Sequence, residues 1–226
     1  MVTKQGIIKR ISLNAYNTAR KGGLIALELN EGDELAWVRL TDGNQQVIVA
    51  TKNGLAIRFE ETDVRPMGRQ ARGVKAISLR EGDCVVGMCV VANDDLILTA
   101  SETGFGRISN VSDYRLQSRG GKGITNYHTE KYGNVAAVSA VKLDEDIIII
   151  SQEGVIIRIA ADTVRICNRP SKGVTLMRIG ENDKVVTVAR APHEDSESEK
   201  TEETAEEETS EENTAPETNA EENTEE

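Results

Sequence analysis

Arginine and lysine recur at fixed intervals in three segments of this 226-residue chain. Residues 65–73 read RPMGRQARG, 115–123 read RLQSRGGKG and 165–173 read RICNRPSKG, so each obeys R-x-x-x-R-x-x-[RK]-G. Arg65, Arg115 and Arg165 form one column, Arg69, Arg119 and Arg169 a second, and Arg72, Lys122 and Lys172 a third. Nearer the start of the chain the pattern thins to Arg20-Lys21 before Gly22-Gly23. With 26 bases among the first 193 residues, chance would fill a column in all three copies only about 0.1 times in fifty positions. Three filled columns therefore call for a chemical reason. A guanidinium forks onto the oxygens of a phosphate or carboxylate, and a neighbouring glycine lets backbone N–H groups approach the same anion.

Such loops need a scaffold that repeats, and the sequence supplies one. TKQGIIKRI, TKNGLAIRF, SETGFGRIS and SQEGVIIRI align on Gly6, Gly54, Gly104 and Gly154, and a second glycine follows at Gly23, Gly73, Gly123 and Gly173. Leu35, Val85, Val135 and Val185 keep the same phase. Each unit of about fifty residues holds an apolar run such as Val47–Ala50, a turn ending in glycine, and a second apolar run. Asn53-Gly54 suggests a type I′ hairpin turn. Stretches like Leu24–Leu29 and Leu35–Leu40 complete about four strands per unit, and no long amphipathic helical period is present. The fold expected is all-β, a propeller-like ring of four-stranded blades at about 1–44, 45–94, 95–144 and 145–191. In such a ring the turn glycines serve folding rather than chemistry.

The formal charge of -11 is misleading. Glu194–Glu226 holds sixteen acids, one base (Lys200) and no Val, Ile, Leu, Met or aromatic residue, which leaves 22 acids and 26 bases in residues 1–193. The body is mildly basic, and residues 192–226 read as a disordered acidic tail. Sixteen acids on a tether would compete with any polyanion for the basic columns. Three cysteines without a CxxC pair give no disulfide or zinc framework and suit a reducing compartment, as ordinary buried residues. No apolar run is long enough for a membrane span. His128 reads as a surface-loop residue, and the paired acids as solvated edges.

Equivalent positions on successive blades face the same way, so the columns should form a positive belt along one rim. Duplex DNA, a regularly spaced polyanion, is the natural partner, gripped through its backbone with little dependence on sequence. With aromatics at only 3%, platforms for stacking single-stranded bases are scarce. The competing reading is a protein-binding scaffold whose basic rim serves solubility.

QSRGGKG, Gln117–Gly123, resembles the seven-residue box Q-R-R-G-G-K-G of the DNA gyrase A subunit, with Ser118 where that family usually has arginine. EGDELAWVRLT, ATKNGLAIRF, DVRPMGRQARGVKAISLREGD and the glutamate-rich tail are similar to the same subunit's C-terminal region. The resemblance covers the whole chain. It implies a β-pinwheel, a propeller variant whose blades exchange strands and whose edge wraps duplex DNA, supporting negative supercoiling. Gln117, Arg119, Gly120, Gly121, Lys122 and Gly123 match the box residue by residue. Arg115, Arg65, Arg69, Arg72, Arg165, Arg169, Lys172, Arg20 and Lys21 belong only to the internal pattern. The box lies in the third unit, whereas the family usually carries it in the first. The family's usual six blades imply a fragment that starts inside a blade and lacks about two of them. The resemblance further implies a cytoplasmic, nucleoid-associated parent enzyme with a second A subunit and two B subunits, ATP on the partner subunit and Mg2+ at a cleavage site outside this chain. No catalytic residue, cofactor or metal is then expected here. The A subunit of topoisomerase IV is the neighbouring alternative.

Overall fold

The run Gln46–Thr51 shows why these segments become strands. Val47, Ile48, Val49 and Ala50 are all at most 3% exposed, so both faces of the strand are covered. A continuous β-branched run, rather than strict alternation, suits that environment. The computed structural model describes residues 1–17 and 22–193. The first unit contains β1 (Val2–Thr3), β2 (Ile7–Ile8) and β3 (Leu35–Trp37). The second holds β4 (Gln46–Thr51), β5 (Leu55–Glu60), β6 (Val74–Lys75) and β7 (Val85–Val91). The third holds β8 (Leu96–Ser101), β9 (Phe105–Asn110), β10 (Ile124–Thr125) and β11 (Val135–Val141). The fourth holds β12 (Glu145–Ser151), β13 (Ile156–Ala160), β14 (Val174–Thr175) and β15 (Val185–Pro192). One helical turn, α1 (Thr129–Tyr132), sits between β10 and β11.

The sheets run β3-β1-β2-β6, β10-β5-β4-β7, β11-β8-β9-β14 and β13-β12-β15. Thus β6, β10 and β14 each leave their own unit to complete the outer edge of the preceding blade, which is the strand exchange of a β-pinwheel. The fold is all-β, as expected from the period. Two expectations need correcting. The fourth sheet has three strands among the described residues. Leu24–Leu29 forms no strand, whereas its equivalents β6, β10 and β14 each pair with the preceding unit.

The hairpin turn also differs from its sequence reading. Gly54 N–H donates to Thr51 O at 3.1 Å, so Gly54 closes the turn instead of occupying its centre. Its φ of 80° makes this the turn plus left-handed residue of a three-residue hairpin loop, not type I′. The buried Thr51 hydroxyl accepts from Leu55 N–H at 3.3 Å. Thr3, Ser101 and Ser151 hold the corresponding place in the other units. A Cβ on Gly54 would lie 2.3 Å from Tyr127 O, so glycine is required by the incoming third unit as well as by the turn.

Three apolar clusters fill the joints, and each draws on consecutive units: Val2, Val49 and Ile77; Ile48, Ile97 and Tyr127; Leu98, Ile149 and Met177. Each fully buried aliphatic side chain contributes about 1.5–3 kcal/mol, so a blade is stabilised mostly by its neighbours. Cys89 is buried, and its thiol is pushed up to about 11 by burial. Cys84 and Cys167 are half-buried rather than buried, and all three are free thiols.

Candidate nucleic-acid interface

Each basic loop belongs to one unit but lies on the blade before it. The anchors are backbone bonds from Met67 N–H to Arg10 O, Gln117 N–H to Arg58 O and Cys167 N–H to Ile108 O, at 2.9, 2.8 and 2.8 Å. A short 3-10 turn precedes every loop, at Glu61–Asp63, Val111–Asp113 and Ala161–Thr163. The glycine that ends each loop is fixed by contact. A Cβ on Gly123 would stand 2.5 Å from Ala56 O, and one on Gly173 only 1.9 Å from Gly106 O. Repetition of these anchors puts the three loops at equivalent places along the outer edge.

The columns then separate by role. Arg65, Arg115 and Arg165 are exposed at equivalent positions, with guanidinium groups free of any hydrogen bond or ion pair among the described residues. The second column turns inward. Arg119 donates to Asp63 O at 3.0 Å and Lys75 O at 3.2 Å. Arg169 donates to the matching carbonyls, Asp113 O at 2.6 Å and Thr125 O at 2.5 Å, and lies 5.0 Å from the Tyr114 ring. Both are half-buried clamps holding one unit's loop to the exchanged strand and 3-10 turn of the unit before. Arg69 is half-buried too, and its carbonyl accepts from the buried Lys9 ammonium.

The third column is mixed. Lys122 is exposed, whereas Arg72 pairs with Glu28 at 2.8 Å and Lys172 sits 3.5 Å from the centre of the Phe105 ring. Exposed His128 joins Arg165, Asn168 and Ser171 around an open groove of about 570 Å³ on the same edge. Arg20 and Lys21 lie outside the described residues, as does the acidic segment 194–226.

Within the box, the backbone serves folding more than expected. Gly120, at φ 81°, donates its N–H to Ala76 O at 2.6 Å, and Gly121 O accepts from Ser78 N–H at 2.8 Å. The expectation that the box glycines turn their N–H groups to an anion therefore fails at Gly120, whose donor is spent on the second unit. Gln117 is half-buried, while Gly121 and Lys122 are the exposed tip.

Sequence reasoning missed the buried cations beneath the loops. Arg58, 5% exposed, donates to Val111 O at 2.9 Å and Tyr114 O at 3.0 Å, and also to Gln46 and Asn93. Arg107 is fully buried, bonded to Asn126 O at 2.7 Å with its guanidinium 5.6 Å from the Tyr127 ring. Burial lowers the pKa of both, and of Lys9. The available signal was Arg10, Arg58 and Arg158 recurring four residues after each turn glycine, with isoleucine at Ile108.

The profile of one family, described as the DNA gyrase C-terminal domain, a beta-propeller, matches residues 1–42, 45–91, 95–142 and 145–192, one match for each unit. The chain belongs to that family. Among gyrase A subunits, that of Halalkalibacterium halodurans is 60% identical over 74 residues, 33% of this chain and 9% of the relative. That of Clostridium acetobutylicum is 56% identical over 75 residues, with the same coverage. The matched segment thus spans about a tenth of these longer proteins. Among solved structures, a gyrase A C-terminal domain superposes with a TM-score of 0.74 at 29% identity, over 84% of this chain and 64% of that one. A topoisomerase IV C-terminal domain gives 0.80 at 26% identity, over 84% and 60%.

Proposed function

We propose that this chain binds and wraps duplex DNA along its outer edge, as the C-terminal part of a gyrase A subunit. The observation that carries the reading is the row of exposed Arg65, Arg115 and Arg165 at equivalent places on consecutive blades, with Lys122 at the tip of the middle loop. Charges set at blade intervals along a curved edge fit the phosphates of a bent duplex and carry no base information. Strand cleavage, nucleotide turnover with its ATP and Mg2+, and assembly with a second A subunit and two B subunits then belong to the rest of a parent topoisomerase in the cytoplasm. This chain's own part is to bend DNA so that it returns to that machinery. A topoisomerase IV A subunit is the second reading, favoured by the TM-score of 0.80.

The arginines to test are those of the first column, since removing Arg119 or Arg169 would also loosen a joint. Titration of a short duplex at several salt concentrations measures the number of phosphate contacts. Arg65→Ala, Arg115→Ala and Arg165→Ala combined should lower the log–log slope by about 0.9 per arginine, about 2.7 in all. An unchanged slope, or binding insensitive to salt, would defeat the proposal.

A further inference from the structure

Beside each first-column arginine stands an apolar residue that the fold leaves on the surface. Val64, Tyr114 and Val164, which precede Arg65, Arg115 and Arg165, are at most 3% exposed and tie their loops to the core. Met67, Gln117 and Cys167, two residues after the arginines, are half-buried and hold the loops through the backbone bonds to Arg10, Arg58 and Ile108. Between arginine and anchor lie Pro66, Leu116 and Ile166. All three are exposed, Leu116 by 50% and Ile166 by 44%. Their backbones occupy one structural position, each in an isolated parallel bridge to the preceding unit: Pro66 to Arg10, Leu116 to Arg58 and Ile166 to Ile108. The loops already have their buried anchors, so this apolar row is not needed to hold them.

Two of the loops show what the apolar residue shares with its arginine. Arg165 and Ile166 both line the groove of about 570 Å³ beside His128. Arg65 and Pro66 both line a groove of about 420 Å³ in the second unit. No carboxylate lines either groove among the described residues. The outer edge thus repeats a guanidinium next to an apolar side chain with no opposing charge.

A matching partner must set an apolar face next to each anion. The backbone of a nucleic acid does so, because every phosphate is followed by a sugar whose ring carbons present C–H groups. The sugar also decides which nucleic acid fits. Deoxyribose is apolar at C2′, whereas ribose carries there the hydroxyl by which proteins tell RNA from DNA. Pressed against Leu116 or Ile166, that hydroxyl would lose its water and gain no hydrogen bond, which is unfavourable.

Building on the DNA-wrapping reading, we infer that Pro66, Leu116 and Ile166 pack against deoxyribose rings next to the phosphates held by Arg65, Arg115 and Arg165, and that this row makes the edge selective for DNA over double-stranded RNA. The arginines supply attraction for any polyanion. The apolar row supplies the choice of sugar, and a contact to sugar carries no base information.

The test titrates a DNA duplex and the RNA duplex of the same sequence with the full chain at several salt concentrations. The parent should bind the DNA more tightly. Leu116→Ser combined with Ile166→Ser should weaken DNA binding about tenfold, since two aliphatic side chains lose the burial they gain on binding. RNA binding should hold or strengthen. The salt slope on DNA should keep its parental value, because every phosphate contact remains. Both positions are exposed, so urea melts of the serine variant should match the parent. Leu116→Met combined with Ile166→Val keeps the row apolar and should bind as the parent does. This inference is overturned, with DNA binding itself left standing, if the parent holds both duplexes equally or if the serine variant binds DNA undiminished. A loss equal on both duplexes, or one that comes with a lower salt slope, overturns it as well. A parent that binds neither duplex would overturn both readings.

Discussion

Arg115, on the rim, and Arg58, in the joint beneath the same loop, are one side chain in two surroundings. Arg115 is exposed and makes no hydrogen bond or ion pair among the described residues. Arg58 is 5% exposed and spends its donors on Val111 O, Tyr114 O, Gln46 and Asn93, with no carboxylate among its bonded partners. Strand exchange leaves carbonyls of the incoming 3-10 turn inside the joint, and a planar fork of five N–H groups captures several of them at once. In the next joint Ile108 takes that position and packs with Ala161 and Val164. Arginine is therefore one solution in the joint. On the rim, three of three first-column positions keep it, where only its charge and reach remain to be used.

The largest effect should come from the joint. Arg58→Ala leaves two buried carbonyls and two side-chain amides without their donor, at about 1 kcal/mol or more each. The expected loss is about 3–4 kcal/mol in chemical denaturation, with the midpoint falling sharply. If Arg58→Ala proves as stable as the parent, joint and rim do not differ as described.

A sharper contrast lies inside one loop. Arg119→Ala removes two partly solvated bonds to Asp63 O and Lys75 O and should cost about 1 kcal/mol. Arg115→Ala, four residues away, should stay within about 0.5 kcal/mol of the parent. Urea melts of the two single variants make the comparison, and equal losses would erase the distinction between the columns.

The smallest effect is a pH dependence. Burial raises the pKa of Tyr114, and of Tyr127, above the ordinary tyrosine value. The folded state thus keeps these protons to higher pH than the unfolded chain. Their contribution is complete below the unfolded pKa of about 10 and is lost as pH rises through the folded value. Tyr114→Phe removes bonds to Asn126 at 2.7 Å and Ser109 at 3.1 Å and should cost about 1 kcal/mol at neutral pH. It should also flatten the alkaline decline in stability, leaving the part that Tyr127 and the buried Cys89 thiol contribute. An unchanged slope between pH 9 and 11 would remove Tyr114 from the account.

Periodicity made the architecture legible. Glycines at fifty-residue spacing gave the blades, because a turn that must admit the next unit tolerates no Cβ, and the same spacing aligned the arginine columns. Spacing could not say that Arg119 and Arg169 face inward while Arg65, Arg115 and Arg165 face out. Columns four residues apart in a loop are distinguished only by which carbonyls the neighbouring blade presents. Nor could it reveal that Gly120 has spent its N–H on Ala76, or that Asn53-Gly54 closes its turn with the glycine.

By itself the sequence determined four repeats, their strand-forming runs, the mildly basic body and the family to which they belong, since these follow from local backbone preference and composition. The tertiary structure decided which cations are available to a partner and which hold the blades together. That choice rests on carbonyls brought in from residues about fifty positions away, and only the exchange of strands determines where those carbonyls go.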